Sequence, residues 1–199
     1  MNNFEELRKE MLSCTCIAED CMDLYNKLNS SKSLEDLCNA IKDNFYWCCR
    51  QDVVNGALID KYKDEFAANG IYHNTSVENG FLLVTGNTRV TAEGNSTVFS
   101  TDDSVVESYD RTYTYACCNS TVNAFRYSIV KAFDHSTVNA YEYTRVEARD
   151  NTTVHGHDDS FTLCTSKVNR TLEDYAILRL TDCDVAQYAC KDLKFKKLR

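Results

Sequence analysis

The chain has 199 residues, a formal net charge of −8 and no proline, with 43% apolar and 26% charged residues, the balance of a folded globular chain. An acidic balance of this size argues against nucleic-acid binding by phosphate neutralisation and leaves basic protein partners open. No apolar run approaches the ~18 residues of a spanning helix, and the opening Met1–Lys9 has no secretory-leader pattern, so no membrane partner and a cytoplasmic setting are expected.

Six of the 11 cysteines fall early, at Cys14, Cys16, Cys21, Cys38, Cys48 and Cys49. An odd count without a leader points to reduced thiols. The Cys14-x-Cys16 and Cys48-Cys49 spacings do not make paired zinc knuckles, so the expectation is small buried hydrophobes, with no metal and no cofactor.

The first third reads as a small domain of three helices, over 1–70. Phe4, Leu7, Met11, Cys14, Ala18, Cys21, Tyr25 and Leu28 step three and four residues apart, which predicts one heptad helix over 4–28. That helix either packs on its own domain or self-associates through Phe4, Leu7, Met11, Tyr25 and Leu28 into a homo-oligomer. Ser33, with Asp36 after it, predicts a capped helix over about 33–50. A third helix is predicted over about 52–68, with Gly70 as its stop and 71–81 as a connector.

From about 82 to 190 the chain repeats every eight residues. Positions 90, 98, 106, 114, 122, 130, 138, 146, 154 and 162 hold valine in eight of ten cases and threonine in the other two. Small residues follow two positions later, Ala92 through Ala148 to Cys164, and Ser or Thr precedes by two. Ser/Thr, Val and Ala therefore alternate and face one side of a strand. Corners such as Gly94-Asn95, Asp134-His135 and Asp150-Asn151 tolerate left-handed backbone. A strand and a corner in constant orientation describe a parallel β-solenoid. Residues 122–137 align with 138–153 better than neighbouring octads do, which predicts 16-residue coils and two back-to-back sheets, about seven coils in all. A three-faced coil of 24 residues is the runner-up. Arg170 in a valine slot predicts a bulge, and Ala186 and Tyr188 are expected to continue the phase. The helical domain should cover one open end and a basic tail, 191–199, the other. The overall class is α+β.

Val90–Thr97, Val130–Thr137 and Val146–Thr153 resemble the V-x-A-x-[GD]-N-[SA]-T octapeptide repeats of proteins from gut bacteria, their phages and prophages. The resemblance departs where Tyr127 and Tyr143 replace Asn, and it fades after 165. It implies a fold and an origin, and no assigned activity.

Outward residues should stack in columns, one residue per coil. Glu93, Tyr109, Phe125, Tyr141 and His157 form one, beside Thr91, Glu107, Asn123, Asn139 and His155. The other sheet carries Phe99, Tyr115, Lys131, Glu147 and Leu163. The candidate binding surface is Tyr109, Phe125, Tyr141 and His157 with Asn123 and Asn139, because a contiguous exposed apolar column suits a partner; stabilisation of the sheet by the same column is the alternative. No nucleophile elbow, phosphate loop or paired acid and base points to catalysis. The expected role is a non-enzymatic protein-binding solenoid of phage or mobile-element origin, with inhibition of a host or defence factor as one form of it. Two further roles stay open: an assembly component joined through the first helix, and a carbohydrate-binding or carbohydrate-active β-helix using Glu93 and Glu107.

Overall fold

A computed structural model describes residues 3–15, 22–183 and 185–189. Its solenoid consists of two parallel sheets wound through about six turns. Register holds at one coil per 16 residues: Thr121 pairs with Thr137 and Thr137 with Thr153, in the sheet of even-numbered strands. Strands β1 (Ile71–His73), β3 (Phe81–Val84), β5 (Thr97–Ser100), β7 (Tyr113–Ala116), β9 (Ile129–Ala132), β11 (Arg145–Ala148), β13 (Phe161–Cys164), β15 (Ile177–Leu180) and β16 (Ala186–Tyr188) make sheet A. Sheet B runs through β2 (Val77–Glu78), β4 (Arg89–Glu93), β6 (Val105–Ser108), β8 (Thr121–Ala124), β10 (Thr137–Ala140), β12 (Thr153–Gly156) and β14 (Asn169–Leu172).

The interior is the Val, Ala and Ser/Thr set, with Val122, Val138, Ala124 and Ala140 fully buried. The hydroxyl slot has a specific task. Ser96, Ser104, Thr112, Ser136 and Thr144 each donate to the carbonyl three residues earlier, at 2.6–2.8 Å, and so close the corner from inside. Outside, the corner residue adopts left-handed backbone, from Asp102 (φ 57°) to Asp174 (φ 56°). Aspartates there reach back one coil: Asp102 accepts from the Gly86 N–H at 2.8 Å and Asp158 from the Glu142 N–H at 3.1 Å. The acidic corner columns are thus explained by turn chemistry.

Several boundaries differ from the sequence expectation. Each anticipated helix is divided, giving α1 (Asn3–Thr15), α2 (Met22–Ser30), α3 (Leu34–Asp43), α4 (Phe45–Arg50), α5 (Gly56–Lys61) and α6 (Lys63–Ala68). The pieces α1 and α2 pack against each other, which one straight helix over 4–28 could not do. Its heptad phase also slips: Cys14 is exposed where Thr15 is buried, and Leu24 takes the inward place given to Tyr25. Leu7, Met11 and Leu28 lie fully buried in the chain's own core, while Phe4 and Tyr25 are half-buried, so the anticipated self-association seam is spent inside the domain. Ala18, Cys16 and Cys21 lie outside the described residues, as does the tail 191–199. Ser33 caps α3 by accepting from Asp36 N at 3.1 Å, and Gly70 (φ 71°) follows α6, both as anticipated.

The connector 71–81 is already solenoid, since β1 pairs with β3 and β2 with β4. Arg170 makes no bulge: it stays in register with Val154, and its guanidinium turns to Gln187 Oε1 and the Ser166 and Val168 carbonyls. Ala186 to Tyr188 do not continue the coil but turn back antiparallel on β15. The helices do not sit as a lid on one end alone. They lie along the outward face of sheet A, where Leu83, Phe99 and Cys117 join the helical core and Phe81, Tyr115 and Phe133 pack against it.

One coil departs from the interior rule. Thr114 bonds Ser108 across the interior at 3.1 Å, but the same two columns later hold Thr162 and Gly156. Among the described residues Thr152 Oγ1, Ser160 Oγ and Thr162 Oγ1 are buried without a partner, and a Cβ on Gly156 would come 3.1 Å from Ser160 Oγ and from Leu172 Cδ2 and 3.3 Å from Ala176 Cβ. Gly156→Ser restores the hydroxyl while its Cβ presses on Leu172 and Ala176, and the recovered bond should hold it about 1 kcal/mol above Gly156→Ala. Gly156→Ala crowds the site in the same way without that bond, so thermal melts should rank Ser above Ala.

Candidate functional site

Alternation carries every candidate ring outward. Phe125 follows β8, in which Val122 and Ala124 point in, and Tyr141 follows β10 in the same way. Tyr109, Phe125, Tyr141 and His157 do stack as one column, at centroid spacings of 4.8, 4.9 and 4.8 Å and interplanar angles of 8–11°. Such spacing equals the strand separation, so each ring covers its neighbour's face. What the solvent meets is ring edges. A sugar stacks on a ring face, and these faces are taken, which speaks against the carbohydrate platform.

The polar column beside it is also self-satisfied. Asn139 Nδ2 donates to Asn123 Oδ1 at 2.7 Å, and Asn123 Nδ2 to Glu107 Oε1 at 2.9 Å. Glu107 further pairs with Arg89, so its carboxylate is shared between two donors. His155 meets Thr171 Oγ1 at 2.6 Å and His157 meets Glu173 Oε2 at 3.3 Å. Among the described residues no group of three His, Cys, Asp or Glu side chains could hold a metal ion. Cys38, Cys48, Cys49, Cys117 and Cys164 are buried, Cys14, Cys118 and Cys183 exposed. Burial pushes the Cys38 and Cys117 thiols up to about 11, so both remain protonated at neutral pH.

The structure singles out rings that sequence reasoning did not place in the site. Tyr127, Tyr143 and Tyr175 are 63%, 59% and 63% exposed, the largest apolar groups left open on the solenoid corner that follows sheet B. Tyr127 and Tyr143 stack at 5.5 Å and 10°. Their signal was in the sequence: they stand in the repeat's Asn slot, where a small turn-forming residue is the cheaper choice. Sheet A shows the opposite treatment. Its column Phe99, Tyr115 and Phe133 is covered by Tyr46 of α4, whose ring lies 4.4 Å from Tyr115 and 5.9 Å from each of the other two.

An ion pair fastens that cover at its edge. Arg50 donates to both carboxylate oxygens of Asp134, at 2.9 and 3.4 Å, and Asp134 also accepts from Cys118 N. The Arg50 bond holds the Asp134 carboxyl below the usual range. Its contribution is complete above the ordinary aspartate range and is lost as the pH falls through the lowered value.

No family model matches the chain, and neither the curated proteins nor the solved structures contain a match. Among the described residues no helix is long and apolar enough to cross a membrane.

Two outcomes follow from this geometry. Replacing Tyr109, Phe125 and Tyr141 together with Ser removes three stacked contacts, and should lower stability by about 2–4 kcal/mol in denaturant titration. An unchanged midpoint would mean that the column adds nothing to the fold. Asp134→Asn should lower the melting temperature at pH 7, and the gap from the parent should close on acidification below about pH 4. A pH-independent gap would assign the loss to packing rather than charge.

Proposed function

We propose that this is a non-enzymatic, protein-binding β-solenoid of 16-residue coils, acting in the cytoplasm of a bacterial cell and carried by a phage or mobile element. The origin rests on the octapeptide resemblance alone. The binding role rests on one observation: the chain covers the aromatic column of sheet A with its own helices, yet leaves Tyr127, Tyr143 and Tyr175 open on the opposite corner. Exposed rings in a row, on a rigid scaffold, favour a protein partner. The helical domain then serves to hold and cap the scaffold, and inhibition of a host or defence factor is the role that best suits such a binder. No second reading is favoured, because the assembly role loses Leu7, Met11 and Leu28 to the core and, in the Tyr109 column on which the sugar-binding role rests, the ring faces are taken.

The test uses the repeat's own residue. The double variant Tyr127→Asn, Tyr143→Asn should melt at or above the parent temperature, since Asn suits the corner. Immobilised parent protein should retain a stoichiometric partner from bacterial lysate, and the variant should retain about tenfold less. Equal capture by both, or no stoichiometric partner for either, overturns the reading.

A further inference from the structure

The exposed tyrosine column has a gap. In chain order its members are Tyr127, Tyr143, Asp159 and Tyr175, one per coil, at the corner that leads into sheet A. The register is uninterrupted there, as Arg145 pairs with Phe161 and Phe161 with Ile177. The backbone positions that carry Tyr143 and Tyr175 are therefore two strand steps apart, about 9.4–9.8 Å. A flat group stacked on both would need about 7–8 Å, at the usual 3.5–4.0 Å to each ring, so the gap admits one planar group with room to spare. Asp159, exposed and shorter than a tyrosine, holds the column position between them.

Charge around the gap is of one sign. Glu142, Asp158, Glu173 and Asp174 border it, all exposed. Asp158 and Asp174 each use one oxygen on a corner N–H, of Glu142 and Asp158, which leaves the second free to accept. Two arginines nearby are committed elsewhere, Arg126 to Asp110 and Arg145 to Glu147 at 3.7 Å.

We infer that the gap between Tyr143 and Tyr175 is a slot for an arginine side chain of a basic segment in the protein partner, with the guanidinium sandwiched by the two rings and paired to Asp159. This inference rests on the protein-binding reading. Arginine is preferred to lysine because the guanidinium is planar, stacks on aromatic faces and forks onto a carboxylate, whereas an ammonium is a compact and strongly hydrated point charge. Tyr143 and Tyr175 offer the slot the ring faces that the Tyr109 column spends on itself.

The full chain, labelled in its tyrosine rings, is titrated with hexa-arginine and with hexa-lysine and followed by NMR. Hexa-arginine should bind about fivefold tighter, with Tyr143 and Tyr175 ring shifts moving most. Tyr175→Asn should abolish the preference while leaving the melting temperature intact, and Asp159→Asn should weaken hexa-arginine by about tenfold. Equal affinity for the two peptides in the parent, or a preference that survives Tyr175→Asn, overturns the slot. A lost slot with partner capture still sensitive to Tyr127→Asn, Tyr143→Asn leaves the protein-binding role standing. A working slot with capture indifferent to that variant overturns the role and keeps the slot.

Discussion

Everything in this molecule depends on a column rule: whatever stands at one place in a coil must stack on itself 16 residues later. Two sheets lie back to back across a gap narrow enough that Val and Ala fill it, and a parallel ladder keeps the gap constant. Inward positions must then be small or β-branched in every coil. Most of the buried corner hydroxyls are tolerated because the corner offers a carbonyl to receive them, and the unpartnered Thr152, Ser160 and Thr162 cluster where Gly156 and Leu172 break the column.

The same rule governs the outside, with different consequences. Aspartate at a corner accepts the N–H of the coil before it, so acidity here is a way of closing turns that also gives the surface its charge. Aromatic residues in one column become a face-to-face stack at the strand spacing. Such a stack lends stability to the solenoid and hides its own faces. A ring shows its face only where the column is interrupted, as at Asp159.

Sheet A and the sheet B corner are treated in contrasting ways by one chain. The helices spend their apolar side on Phe99, Tyr115 and Phe133, with Arg50 and Asp134 fastening the edge. This explains why Leu7, Met11 and Leu28 are unavailable to a second copy: a small helical domain laid on a sheet needs its whole apolar stripe to form one core with that sheet. The open tyrosines stand at a distance from that cover, on a scaffold whose hydrogen-bonded ladders make it stiff.

The sequence by itself determined the coil length, the two-sheet winding, the inward Val-Ala-Ser/Thr set and the stacking of Tyr109, Phe125, Tyr141 and His157, because each follows from period-two alternation and an exact repeat, both local properties of the chain. It also determined the caps at Ser33 and Gly70, where a side chain or a left-handed residue acts on its own neighbours. Only the tertiary structure decided that the heptad stripe is split between α1 and α2, that Arg170 is accommodated without a bulge and that the last strand reverses. It likewise decided which outward aromatic column the helices cover. Those outcomes depend on what lies across a packed interface, and two aromatic columns that look alike in sequence differ in fate because a helix can reach only one of them.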